Sequence, residues 1–140
     1  MKGFKTSAAL TLILFISGLH APAQTSQKDK AIARYDERGN MVSLYNLNTQ
    51  EARERCARFV YVGIITGAEY DNERLLVTFS IRRKNHHIES FNLVDTRFES
   101  ADREKVSTLM KVGNRVRVVA YGCGASAAVL EADEVKALGN

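Results

Sequence analysis

The sequence predicts a mainly β fold, and three stretches carry that prediction. Val112 to Tyr121 is built on β-branched residues, entered through a Gly-Asn break and closed by the glycines of Gly122-Cys123-Gly124. In Leu75 to Arg82, the apolar Leu75, Val77, Phe79 and Ile81 alternate with Leu76, Thr78, Ser80 and Arg82, the period of a strand with one face on a core. Phe59 to Thr66 is apolar at successive positions, which suits a central strand covered on both faces. At 140 residues there is room for one domain.

Met1 to Ala23 reads as a secretory signal peptide. Lys2 and Lys5 supply the positive start, Ala8 to Ile16 the short apolar run, and Ala21-Pro22-Ala23 the small-x-small end that a signal peptidase cuts. The run falls well short of the roughly 20 residues of a membrane span, so cleavage is expected rather than anchoring. No cysteine follows the cleavage point for lipid attachment, and no later stretch is long and apolar enough to span a bilayer. Gln24 to Lys30 is then a flexible leader, and residues 31–140 form the single domain of a protein that is periplasmic or secreted.

Export changes the charge. The chain carries 20 Lys and Arg against 16 Asp and Glu, a net charge of +4, and losing Lys2 and Lys5 leaves 18 against 16, or +2. A generic pull on nucleic acid or anionic membrane therefore loses most of its support. Two cysteines, Cys56 and Cys123, enter an oxidising compartment, where an even count favours one disulfide over two free thiols.

In chain order, Ile32–Tyr35 and Met41–Leu47 flank Asp36-Glu37-Arg38-Gly39-Asn40, whose Gly and Asn suit the turn of a short hairpin. Asn48 to Arg58 shifts to helical spacing, with Asn48 as cap and Glu51 completing a capping box. Arg53, Arg55 and Arg58 spread over its remaining surface, a solvated face interleaved with Glu51 and Glu54, with a phosphate or sulfate patch as the alternative. In the strand from Phe59, Gly63 marks a bulge or strong coil. The strand from Leu75 and a third over Ile88 to Val94, with Phe91 and Leu93 inward, complete a meander. Ser100 to Lys111 reads as a helix with Ser100 as cap, Asp102 and Glu104 in its first turn, and Gly113 as its stop. The strand from Val112 follows, and Ala127 to Ala132 makes the last strand before a charged tail.

Three meandering strands, a helix and two further strands, with a glycine in a coiled first strand, make the chain from Phe59 to Leu138 resemble the OB-fold. Val112 to Val118 followed by Leu130-Glu131-Ala132-Asp133-Glu134-Val135 resembles the run from its fourth strand into its fifth. The resemblance implies a small five-stranded OB-like Greek-key barrel with a helix between strands three and four, to which the hairpin and short helix are N-terminal additions. It is a resemblance to a superfold whose members bind single strands, oligosaccharides or proteins, and by itself it selects none of these. Length, export and the helix before the fourth strand are also similar to the receptor-binding B subunits of bacterial AB5 toxins, which implies a glycan or receptor ligand. With no Trp, tyrosines would have to supply the sugar platform.

Chemistry is sparse. His86 and His87 are adjacent at a turn, a spacing without the logic of a metal pair on one helix face, and no metal or cofactor is expected. Asp95, Glu99 and Asp102 suit a helix start as well as a carboxylate cluster, and Arg82, Arg83 and Arg97 could hold a phosphate only within a constellation the sequence lacks. Phe79, Phe91, Tyr61 and Tyr121 are strand positions that a small core claims before a nucleic acid does. The expectation is a non-enzymatic binding or adaptor protein working through protein or glycan contacts. A B-subunit-like receptor-binding protein and a secreted phosphodiesterase or nuclease are the alternatives. Alternation aims Arg82, Arg115, Arg117 and Tyr121 away from the Val116–Val118 face, so these four are the candidate surface.

Overall fold

The computed structural model describes residues 30–93, 98–124 and 129–139. The expected signal peptide, nearly all of the expected leader, Asp95, Arg97 and the expected strand start at Ala127 lie outside the described residues. Seven strands and two helices follow in order: β1 (Ile32–Tyr35), β2 (Met41–Tyr45), α1 (Gln50–Arg55), β3 (Ala57–Tyr70), β4 (Leu76–Arg83), β5 (Ile88–Asn92), α2 (Ser100–Leu109), β6 (Arg115–Gly122) and β7 (Leu130–Ala137). Among the described residues no helix is long and apolar enough to cross a membrane.

Strands β3, β4 and β5 form the antiparallel meander, β3 returns along its first half to β6, and β6 pairs with β7. A short parallel pairing, Phe91 with Leu130 and Asn92 with Glu131, joins β5 to β7 and closes a five-stranded barrel. With α2 between its third and fourth strands, this is the expected OB-like Greek-key barrel. The hairpin is also present: Asp36 accepts from the backbone amides of Arg38 and Asn40, and Gly39 takes the positive φ the turn requires. β2 continues the sheet along the later part of β7, with Ser43 opposite Lys136 and Leu44 opposite Val135.

Inside the barrel, Ile65, Phe79, Ile81, Phe91, Val116, Val118, Ala120, Ala132 and Val135 are buried. Val106, Leu109 and Met110 of α2 pack into the same core, as do Met41, Leu44 and Leu47 from the hairpin segment. Phe79 stacks on Phe91 and Tyr61 meets Phe91 edge-on, so the central aromatics pack against one another.

Several boundaries differ from the sequence reading for identifiable reasons. Thr49, not Asn48, caps α1 by accepting from the Ala52 amide, because the Asn48 side chain is committed to the Thr49 amide and to Glu131. Glu99, not Ser100, is the cap residue of α2. The Gly-Asn break before β6 belongs to the helix end: Gly113 has positive φ and the Asn114 side chain donates through Nδ2 to the carbonyls of Thr108 and Leu109. In β4 a register shift opposite Glu69 and Tyr70 makes Val77 an extra residue, so Leu76 turns inward and Val77 outward, reversing the expected alternation there. The last strand is Leu130–Ala137 instead of Ala127–Ala132, so the charged tail is mostly ladder. A bulge opposite Val119 and Ala120 spaces its buried Leu130, Ala132 and Val135 unevenly and hides the alternation.

Gly63 sits in unbroken register between β4 and β6, and the bulge in β3 comes later, between Ile65 and Gly67. Gly63 is required for a different reason. A Cβ there would lie 2.7 Å from the Arg82 carbonyl oxygen and 3.1 Å from Ile81 Cδ1, so only glycine lets β3 and β4 approach this closely.

Candidate functional site

A strand in a small closed barrel has one face on the core and one facing outward. In β3 the inward set is Phe59, Tyr61, Gly63 and Ile65, and the outward set is Arg58, Val60, Val62 and Ile64. The expectation that β3 is covered on both faces is wrong: Val60, Val62 and Ile64 are 45%, 40% and 37% exposed. Three aliphatic side chains at alternate positions therefore form an uncovered stripe along the strand, with successive side chains about 7 Å apart.

Register decides what flanks the stripe. Ile64 lies opposite Arg82 on β4 and opposite Arg115 on β6, so the two arginines stand on either side of it in one cross-strand row. Ile88, 63% exposed, extends the row beyond Arg82. Both arginines are exposed, and neither has a salt-bridge partner among the described residues. At the other end of the stripe stands the exposed Arg58.

The remaining candidate residues behave differently. Arg117, opposite Val62, is held by Glu134 at 3.1 Å across β6 and β7. Tyr121 is only 8% exposed and contributes no open surface. Tyr121 lies close enough to Arg53 of α1 to interact electrostatically, and Val119, on the same face of β6, is buried too. Arg53 itself is not part of a solvated face. It grips Asp133 through Nε and Nη2, also donates to the Asn48 carbonyl and to Asn46, and the Asp133 contact holds its pKa above the ordinary arginine value. Arg55 pairs with Glu51 one helical turn away. Cys56, the C-cap of α1, is disulfide-bonded to Cys123, which follows β6. The arrangement fastens α1 beside the β6–β7 ladder and leaves the β3 stripe open next to it.

No family model, curated protein or solved structure matches the chain.

Of the other groups weighed from sequence, Asp95 and Arg97 lie outside the described residues, and Glu99 and Asp102 both lie near Tyr35. Glu99 caps α2 and pairs with Lys30 at 3.8 Å, and Asp102 accepts from the Tyr35 hydroxyl. Partial burial, followed by that hydrogen bond, pushes the Tyr35 pKa up to about 12. Arg83 is paired with Glu89 and lies over the Tyr61 ring. His86 has positive φ at the β4–β5 turn, and among the described residues no group of three or more His, Cys, Asp or Glu could hold a metal ion.

The stripe itself was missed because an apolar run at successive positions suits two-sided burial. The available signal was chain length: a single five-stranded barrel of this size has no second layer with which to cover every strand.

Proposed function

We propose that this is an exported binding or adaptor protein that engages a protein partner through the outer face of β3 and its neighbours, with Arg82 and Arg115 as the polar contacts and Val60, Val62 and Ile64 as the apolar ones. The observation that carries the reading is the cross-strand row Arg82–Ile64–Arg115 beside two further exposed valines, a contiguous apolar surface bordered by arginines that have no salt-bridge partner among the described residues. Export is supported by the N-terminal pattern of charge, apolar run and small-x-small end, and the Cys56–Cys123 bond is compatible with it. The face favours a protein over a glycan ligand. Among the described residues, the exposed side chains from Arg58 to Ile64 and along the row Ile88–Arg82–Ile64–Arg115 are aliphatic or arginine, Phe79 and Phe91 are buried and Tyr121 is closed off, so this stretch offers no aromatic platform for a sugar ring.

The test is site-specific crosslinking in the producing cell, with a benzophenone amino acid replacing Val62 or, as a control, the exposed Ile32 on β1, which β6, β7 and β2 separate from β3. The protein is expected in the exported fraction with its N-terminus at Gln24. A discrete protein adduct is expected at position 62 only, and it should disappear when Arg82 and Arg115 are replaced by glutamate. Retention of the full-length chain in the cytoplasm, or binding to a glycan array that survives those replacements, overturns the reading.

A further inference from the structure

We infer that the surface bound by this face is an extended acidic segment, with apolar side chains at alternate positions over Val60 and Val62 and a carboxylate held between Arg82 and Arg115. This deepens the reading above and rests on it. The first argument is spacing. The exposed aliphatic residues recur at every second position of one strand, so their repeat of roughly 7 Å matches a facing extended chain, whereas helical neighbours lie about 5–6 Å apart.

The second argument is charge. Adjacent strands are about 4.8 Å apart, so the Cα atoms of Arg82 and Arg115 straddle Ile64 at a separation of roughly 10 Å. Both guanidinium stems are long enough to converge on one anionic group above the Ile64 side chain, the bidentate recognition for which arginine is suited. Arg58 places a further cation at the opposite end, and Glu134, opposite Val119 two strands over from Val60, is already taken by Arg117.

The same charge argues against a second copy of this chain. A two-fold interface centred on the stripe would bring Arg58, Arg82 and Arg115 of one copy against cations of the other, a like-charge juxtaposition that costs several kcal/mol. It also separates a protein segment from a bilayer. Val60, Val62 and Ile64 are each less than half exposed and sit between longer arginine side chains, so they are recessed. Interdigitating side chains reach such a stripe, whereas a peripheral membrane anchor projects its apolar residues.

The experiment uses the mature, disulfide-bonded protein, isotope-labelled for amide NMR, and three synthetic seven-residue peptides in which valine alternates with aspartate, serine or lysine. Vesicles of phosphatidylglycerol are the fourth probe. The aspartate peptide is expected to shift the amides of 58–64, 82 and 115–117 and to bind at least tenfold more tightly than the serine peptide. That advantage should vanish in an Arg82→Gln/Arg115→Gln variant and shrink as salt is raised. Equal binding of the aspartate and serine peptides on this face overturns the acidic assignment and leaves the binding face standing. Perturbation by vesicles alone overturns the protein segment in favour of a lipid surface. If none of the four probes moves these amides, the inference fails, and a position-62 adduct in the cell then decides separately whether the face binds another protein.

Discussion

Removing the Cys56–Cys123 bond is expected to cost this domain about 4 kcal/mol. The two residues are 67 positions apart, and the chain-entropy relation for closing a loop of that length gives close to 15 cal/mol/K, or about 4 kcal/mol near 25 °C. For a domain of roughly 100 residues, where each kcal/mol moves the melting temperature by about 4–8 °C, the expected fall is some 15–30 °C. Replacing both cysteines with alanine avoids a stray thiol. The native fold should survive, because β3 and β6 are paired in continuous register from Ala57–Gly122 to Ile64–Arg115 without help from the bond. The assay is urea unfolding with far-UV circular dichroism, comparing the double variant with the oxidised protein. A loss under about 1 kcal/mol with a native spectrum would refute the entropic reasoning, since it would mean that the unfolded chain is already compact. Loss of the β spectrum in the absence of urea would refute the claim that the ladder stands alone.

Two further predictions test the strand approach and the hairpin. Gly63→Ala should destabilise by about 1–3 kcal/mol, because the new methyl meets the Arg82 carbonyl. Gly67→Ala, where a Cβ meets nothing within 4 Å, should be close to neutral in the same urea titration, and equal effects at the two sites would remove the argument from close approach. Tyr35 should titrate near 12 instead of its ordinary 10.0 in an ultraviolet titration. Because the folded value is the raised one, its contribution to stability is intact below pH 10 and is lost as pH climbs from 10 toward 12. Asp102→Asn should bring the value only part of the way down, since burial is the larger cause. A Tyr35 that ionises with free tyrosine would sink this.

Much of the architecture was legible because the barrel obeys local rules. The β-branched run of β6, the apolar stripe of α2 and the Asp36–Asn40 turn each announce their state within a few residues, and the order of elements then restricts the topology. The errors cluster where a non-local partner overrides the local pattern. The bulge at Val77 and the one after Ala132 are set by register with the neighbouring strand, so no single-strand alternation reveals them. Asn48 lost its capping role to a side chain 83 positions away. Of the candidate surface, Arg82 and Arg115 are exposed as alternation requires, but their placement around Ile64 is a matter of register across three strands. Arg117 and Tyr121 obey the same alternation, but Arg117 is tied to Glu134 and Tyr121 is buried, neither of which local spacing shows.

The pairing of β7 also sets when the molecule can fold. This strand borders β6 along most of its length and on its other side takes β5 at its start and β2 near its end, so it joins three segments that are otherwise far apart in sequence. A chain that emerges N-terminus first can form the β1–β2 hairpin and the β3–β5 meander as it appears. It can neither close the barrel nor dock the hairpin until Leu130–Ala137 is available. Such dependence on distant pairings makes folding slow for the domain's size, and it keeps the barrel open until Leu130–Ala137 can join it.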